Sequence, residues 1–482
     1  MDRRRWGRAW GMLAVAGMVA VALSCSLIIG DFKECTTEAD CAGRVTDGGA
    51  FNYTCGTGGY CLPIDRRCVI LGPKTGEAVV WGSIQPKTLA NGTPHQWGPS
   101  WESAIELFIK EINPPQRSGI HNLPIRVYSC DTQSSTANAR ELADYLVNTV
   151  KVPVIISDGS GDTIAESSIT VPAGVLLVAG AATSPDLTSL ADLHPDSGNV
   201  GLVWRTTPSD ALQAPIIARQ IVDAGTTTPK VFVFARNDAF GQGLSGLFNG
   251  AYPAALADGG PAKSTFFVNT DLSNVTQALQ NANNFRPDVM VVIGFPAELV
   301  AIVNGSAGQP NLSSASWFFT QNAKFPQLFT QVTGGVPLEG SRGTSPSPGY
   351  DNSEPSLFFR PKFEQDYAPV LFNSVVDLAN MYDAAFLVAL ASDYSITKDG
   401  RANGIRMAEA FTKFSNDAGV LVPLVPSRFT QATSELNAGR AINVEGASGH
   451  LDFNNTTGEA PADYEVWKII NNQFVTQYLV AP

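Results

Sequence analysis

This chain has little positive charge to offer. Its 32 lysines and arginines face 44 aspartates and glutamates, giving a net charge of −12 and a pI near 4.9. No basic stretch stands out to neutralise phosphates, which argues against nucleic acid as a partner. Histidine is scarce: His95, His121, His194 and His450 each sit in loop-like contexts without metal-ligand spacing. Neither H-E-x-x-H nor a G-x-S-x-G elbow occurs, so zincin and α/β-hydrolase chemistries lack their usual residues. No C-x2-C pair is present, so the cysteines lack the usual zinc-site spacing. Charged residues make up only 16% of the chain against 44% hydrophobic ones, the balance of a globular, charge-poor protein. At 482 residues it has room for two or more domains of roughly 100–200 residues.

The first thirty residues read as a targeting segment rather than as fold. Arg3, Arg4, Arg5 and Arg8 form a positive start, and residues 10–23 are apolar but short for a membrane span. Ala22-Leu23-Ser24-Cys25 resembles a bacterial lipoprotein box. Residues 1–24 are then a signal peptide and Cys25 the lipidated new N-terminus, a lipid anchor in the membrane. Leu23 is not the usual residue at its place. Simple secretion and an uncleaved anchor are the alternatives. Ser26 after the cysteine suggests outer-membrane sorting, so the expected location is the cell envelope, periplasmic or at the outer-membrane surface.

Six cysteines remain. Cys35, Cys41, Cys55, Cys61 and Cys68 crowd a Gly-rich polar segment, and Cys130 lies in the main body. Fifteen pairings are open to six cysteines. The expected form is a disulfide-rich module over residues 25–74, with two bridges inside it and Cys68 tying it to Cys130. A zinc site is the rival, but no histidine is near. Export favours disulfides, and so short a segment cannot bury much core without them.

The main body is organised around residues 151–185. Residues 152–156 are a short apolar, β-branched run, as in a buried parallel strand. A small-residue loop, Ser157-Asp158-Gly159-Ser160-Gly161-Asp162-Thr163, leads to a short helix over 164–171. A second strand at 175–179 ends in Gly180-Ala181-Ala182-Thr183-Ser184-Pro185. Ligands of open α/β sheets bind beyond such carboxyl ends. The N–H groups and positive dipole of a helix start suit a carboxylate or phosphate. The plain alternative is two ordinary strand-to-helix turns. Strand and helix alternate to about residue 340, so the class is α/β with parallel sheets. Residues 341–349, rich in Pro, Gly and Ser, read as a crossover or linker. Helices follow at 357–367, 373–392 and 402–414. Residues 442–480 read as short antiparallel strands with turns at Asn454-Asn455 and Asn471-Asn472.

Several short motifs in this order resemble one family. They are Lys110-Glu111-Ile112-Asn113, Asp131 with Ser134, Ala181-Ala182-Thr183-Ser184-Pro185, Trp204-Arg205-Thr206 with Pro208-Ser209-Asp210, and Asp238-Ala239-Phe240-Gly241-Gln242-Gly243-Leu244. Arg286-Pro287-Asp288-Val289, Tyr382-Asp383-Ala384 and Gly449-His450-Leu451-Asp452-Phe453-Asn454 complete the set. Together, over about residues 78–479, they resemble the type I periplasmic solute-binding proteins, the branched-chain amino-acid binders of ABC transporters and their receptor-domain relatives. The resemblance implies two Rossmann-like lobes joined by a three-strand hinge, with a ligand held in the cleft between them. Crossovers near 204–206, 340–345 and 446–458 give lobe 1 as 75–205 with 346–446, and lobe 2 as 206–345 with 447–482. It says nothing of the cysteine-rich module.

The same resemblance implies ligand contacts at Trp97, Ser160, Gly161, Ala181, Ala182, Thr183, Phe240, Phe295 and Gln321, and no metal or cofactor. Hydrophobic packing is the alternative for Phe240 and Phe295, a loop anchor for Trp97, and a turn residue for Thr183. Two departures stand out. Phe240 and Phe295 lack the hydroxyl of the tyrosines frequent there, and Gln321 is neutral where an ammonium group calls for a carboxylate. Asp162 and Asp238 are possible substitutes, though Asp162 repels a ligand carboxylate at its own loop. Gly241-Gln242-Gly243-Leu244-Ser245-Gly246 also fits the dinucleotide pattern G-x-G-x-x-G. Five residues separate it from the preceding strand, so its glycines belong in the first turns of a helix. The expected function is capture of a small polar or amphipathic solute, an amino acid or related compound, for an ABC permease. The rival is a ligand-sensing or partner-docking lipoprotein, and enzymatic activity is not expected.

Overall fold

The computed structural model describes residues 35–41, 44, 51–55, 60–223, 228–347 and 352–481. The expected signal peptide and Cys25 lie outside the described residues. Two compact units are present, one formed up to Arg66 with Lys74–Glu77, the other by Arg67–Pro73 and Ala78 onward.

The small unit holds an antiparallel pair, Phe51–Cys55 with Cys61–Asp65, and a short 3-10 turn, Glu38–Cys41. Cys35–Cys55 and Cys41–Cys61 are bridged. The buried Cys35, Cys41 and Cys55 are themselves its apolar cluster, with Tyr53 and Cys61 packed against them. Covalent links stand in for a core too small to hold the segment.

Residues 67–73, read above with the module, belong to the large unit. Cys68–Leu71 is an antiparallel edge strand on Ile125–Asp131, with Cys68 opposite Cys130, and those two cysteines are bridged. The remaining strands of this first sheet run parallel. Its order is Cys68–Leu71, Ile125–Asp131, Val79–Gln85, Val154–Ser157, Leu176–Ala179, Val203–Arg205. The second sheet follows the same plan: Lys263–Val268, Val231–Arg236, Val289–Ile293, Ser316–Phe319, Arg342–Pro346, then Tyr464–Ile470 and Gln473–Val480. In each, the first parallel strand in the chain lies inside, with the second on one side and the third on the other. That reversal opens a crevice beyond the strand ends, the place where such sheets bind ligands.

Both faces of the second sheet are covered, and its sequence shows why. Successive side chains of a strand point to opposite faces. Val231, Val233 and Ala235 enter one core cluster with Val289, Val291 and Ile293. Phe232 and Phe234 enter the other with Met290, Val292, Trp317, Phe319 and Trp467. The continuous apolar run is thus two interleaved faces, as expected of a sheet buried on both sides.

Two readings are corrected. The stretch at 341–349 is not merely a linker. Arg342–Pro346 is a strand, parallel to Ser316–Phe319 and antiparallel to Tyr464–Ile470. The helix expected over 164–171 begins four residues earlier, at Ser160, because small residues favour a helix start as readily as a loop. The last hairpin turns at Asn471-Asn472 as expected, with φ of 53° and 56°, the left-handed pair a two-residue hairpin requires. The glycines of the dinucleotide-like motif lie inside the helix Ala239–Ala251. A Cβ on Gly241 would meet the Arg236 carbonyl oxygen at 2.1 Å, and one on Gly243 would meet Pro185 at 2.7 Å. These two glycines serve close packing. Among the described residues no helix is long and apolar enough to cross a membrane.

Candidate functional site

The crevice of the first sheet is shaped by three loops. The loop after Gln85 is pinned by Asp131, whose carboxylate accepts from the Lys87 and Thr88 backbone N–H groups at 2.8 and 3.0 Å and from the Thr88 hydroxyl at 2.6 Å. This carries Trp97 to the head of the helix Gly98–Ile112. After Val154–Ser157 comes Asp158, then Gly159 as N-cap of Ser160–Thr170. The third loop, 180–185, is stitched to the second, since Ser184 N–H donates to Ser160 Oγ at 3.0 Å. Arg205, 2% exposed, holds the same loop through the carbonyls of Ala182 (3.0 Å) and Ser184 (2.8 Å). Its other nitrogen pairs with Glu459. Ser160, Gly161, Ala181, Ala182 and Thr183 therefore form one continuous wall.

Loops of the second sheet face this wall. Arg236 ends a strand and pairs with Asp238 and Glu298. Asp238 caps the helix Ala239–Ala251 by accepting from Gly241 N–H at 2.9 Å. Phe295 caps the helix Pro296–Ser306. Its ring stacks on Phe240 at 5.7 Å, takes the edge of Trp97 at 6.0 Å, and lies under the Arg236 guanidinium at 4.4 Å. Trp97, Phe240 and Phe295 thus meet as an aromatic bridge between the two sets of loops. Trp97 is 1% exposed, and its indole N–H has no partner. Beside it His95 accepts from the Trp97 and Gly98 N–H groups at 3.3 and 3.1 Å. Burial, helped by Arg236, lowers its pKa to about 4, so it stays neutral and keeps accepting.

Gln321 follows the strand Ser316–Phe319 of the second sheet. It lines a pocket of about 60 Å³ with Lys324, Ser345, Asp377, Asn380 and Glu465. Its carbonyl oxygen accepts from Gln213 at 2.9 Å, and Gln213 also donates to Thr344. Lys324 pairs with Glu465. Asn380 and Thr206 exchange two hydrogen bonds of 2.7 and 2.9 Å. Thr207 donates to Asp377 at 3.3 Å. This pocket therefore sits where the chain leaves the first sheet for the helix Asp210–Val222.

Asp158, Asp210 and Asp377 were not among the expected site residues. Asp210 is fully buried, and neither oxygen completes a hydrogen bond. Burial, reinforced by Asp377 and Asp238 and opposed by Thr183 and Arg205, raises its pKa to about 7. Burial raises Asp377 to about 7 as well. Asp158 is pushed well up by burial and by Asp162. Asp162 is raised by burial, with Asp238 adding and the Thr136 hydroxyl opposing. The basic side chains Arg205, Arg236 and Lys324 are each already matched by a carboxylate. Pro208-Ser209-Asp210 was visible as a motif, but in sequence an aspartate there reads as an ordinary first-turn acid. Only burial singles it out.

Known proteins place this architecture. The family model for periplasmic binding proteins matches residues 82–423. A chemotactic signal transduction system substrate-binding protein, BasB of Halobacterium salinarum, is 24% identical over 392 residues, which is 78% of this chain and 84% of that protein. Among solved structures, the leucine-binding protein LivK of Thermotoga maritima shares 19% identity and a TM-score of 0.65, over 84% of this chain and 99% of that one. An ABC-transporter solute-binding protein of R. palustris, in complex with benzoate, gives 15% identity and a TM-score of 0.61, over 84% and 97%. With that match across most of its length, and with two parallel-sheet lobes of the same order, the chain belongs to the periplasmic binding protein family, in its type I form.

Proposed function

We propose that this protein is an extracytoplasmic, lipid-anchored solute-binding protein. It captures a small polar or amphipathic ligand, an amino acid or related compound, between its lobes and delivers it to an ABC permease. The lobes are 75–205 with 346–446 and 206–345 with 447–482. Cys25 carries the lipid. Trp97, Ser160, Gly161, Ala181, Ala182, Thr183, Phe240, Phe295 and Gln321 supply the contacts, with Asp162 and Asp238 as the acids for a ligand ammonium group. The chain binds its ligand without converting it. One observation supports this reading above the rest. The small-residue wall lies at the reversal point of the first sheet, and the aromatic bridge joins it to the second, with Trp97 from the first sheet's loops on Phe295 and Phe240 from the second's.

A second reading has its own support. The BasB relative is a substrate-binding protein of a chemotactic signalling system, which favours ligand sensing without transport. Both readings need a ligand. The test is a thermal-shift screen of the full mature chain with Cys25 replaced, against amino acids, amides, short carboxylates and purines. A ligand at a hundred times its Kd adds about 2.7 kcal/mol, which raises Tm by several degrees. A hit weakened by Thr183→Ala supports the cleft. A flat panel with folded protein and no retained small molecule would sink the proposal. Uptake through a co-expressed permease then separates importer from sensor.

A further inference from the structure

The head of the helix Ser160–Thr170 is electrostatically inverted. A helix start normally welcomes an anion, because its N–H groups and dipole are positive. Here the chain places its own acids there. Asp158, 4% exposed, immediately precedes the N-cap, and its Oδ1 has no hydrogen-bond partner. Asp162 lies in the first turn, half-buried, with one oxygen accepting from the Thr136 hydroxyl at 2.8 Å. Glu166, one turn on, is fully buried with both oxygens unpartnered. The three lie within electrostatic reach of one another, and Asp238 of the facing loops adds a fourth negative charge against Asp162. The basic group whose field reaches Asp162 is Arg236, and it is already held by Asp238 and Glu298. A ligand carboxylate brought here would find acids, and an arginine already paired. A buried carboxylate without a partner is costly, and a cation is the group that would complete the set.

Resting on the solute-binding reading, we propose that this end of the cleft is a subsite for a cationic group of the ligand, an ammonium or guanidinium held between Asp158 and Asp162. The favoured solutes are then basic amino acids or diamines. Aromatic acids such as benzoate are excluded, because their one charged group is an anion.

The experiment is calorimetric titration of the full mature chain, Cys25 replaced, at pH 7.5 with lysine, arginine, putrescine, leucine, glutamate and benzoate. Sodium and calcium chloride are run separately. The subsite predicts binding of at least one of the first three, weakened tenfold or more by Asp162→Asn, with the variant's melting temperature showing that it folds. Asp158→Asn gives a second reading of the same loss. Binding of leucine, glutamate or benzoate in preference to the cationic solutes overturns the subsite while leaving the solute-binding reading intact. A response to inorganic cations alone overturns it too. No binding of any solute removes both.

Discussion

Asp210 and Asp377 show how burial gives a residue properties its letter does not carry. Unfolded, both ionise near pH 4. Folded, burial moves each to about 7. Between those values the native state holds more protons than the unfolded chain. Stability of the ligand-free protein therefore falls as pH rises through this window and levels off above it. Glu111, raised to about 7, and Asp383, raised to about 6, act in the same direction. Replacing Asp210 by Asn removes its share. Urea unfolding at pH 5 and pH 8 should show a smaller loss of stability in Asp210→Asn than in the parent chain, and equal losses would contradict the assignment. None of this was legible beforehand. Ser209-Asp210 is a cap and a first-turn acid in any sequence, and it packs with Tyr464 and Thr183, which are distant in the chain. By contrast Trp97, Phe240 and Phe295 were singled out by resemblance, and the fold brings them into contact. Gln321, singled out in the same way, lines the pocket that Asp377 also lines.

Among the elements, the helix Ala239–Ala251 shows what the dinucleotide-like glycines do. Gly241 lets the first turn pass over the Arg236 backbone, and Gly243 lets it press on Ser184 and Pro185 of the small-residue wall. Gly246 faces open space, so the pattern's third glycine has no packing duty. A side chain at Gly243 forces apart the two surfaces that meet there. Gly243→Val should weaken ligand binding about tenfold or more while leaving the melting temperature within a few degrees, whereas Gly246→Ala should change neither. A normal affinity in the valine variant, measured by calorimetry, would show that this contact is unrelated to binding. Elements whose local signals agreed were readable: the strand expected at 175–179 runs over Leu176–Ala179. Elements made by distant pairing were not. Arg342–Pro346 reads as a crossover or linker because Gly343, Ser345 and Pro346 are poor strand formers. It becomes a strand because Ser316–Phe319 and Tyr464–Ile470 flank it. The strand Val420–Pro423 and the helix Phe429–Asn437 went unread, since prolines at 423 and 426 broke every local pattern between them.

For the whole molecule, class and order of elements were open to sequence because alternating strand and helix leave few arrangements once parallel pairing and right-handed crossovers are required. A crossing segment carries no periodicity of its own, so the expected crossovers between the lobes rest on resemblance. What the fold adds is a cleft whose walls already touch, through Trp97 on Phe295 and through Gln96 donating to Gln327 at 3.2 Å. Under the proposed solute-binding function, these contacts are where the lobes close over a ligand.

The proposed function requires that one small molecule bind between the lobes. Native mass spectrometry of the intact mature chain, with Cys25 replaced, tests it most directly. Incubated with the solute selected by screening, the protein should gain the mass of a single ligand. Trp97→Ala and Thr183→Ala should each lose that added mass, although they contribute from different loops. A chain that gains no ligand mass, or that gains it equally in both variants, would contradict the account.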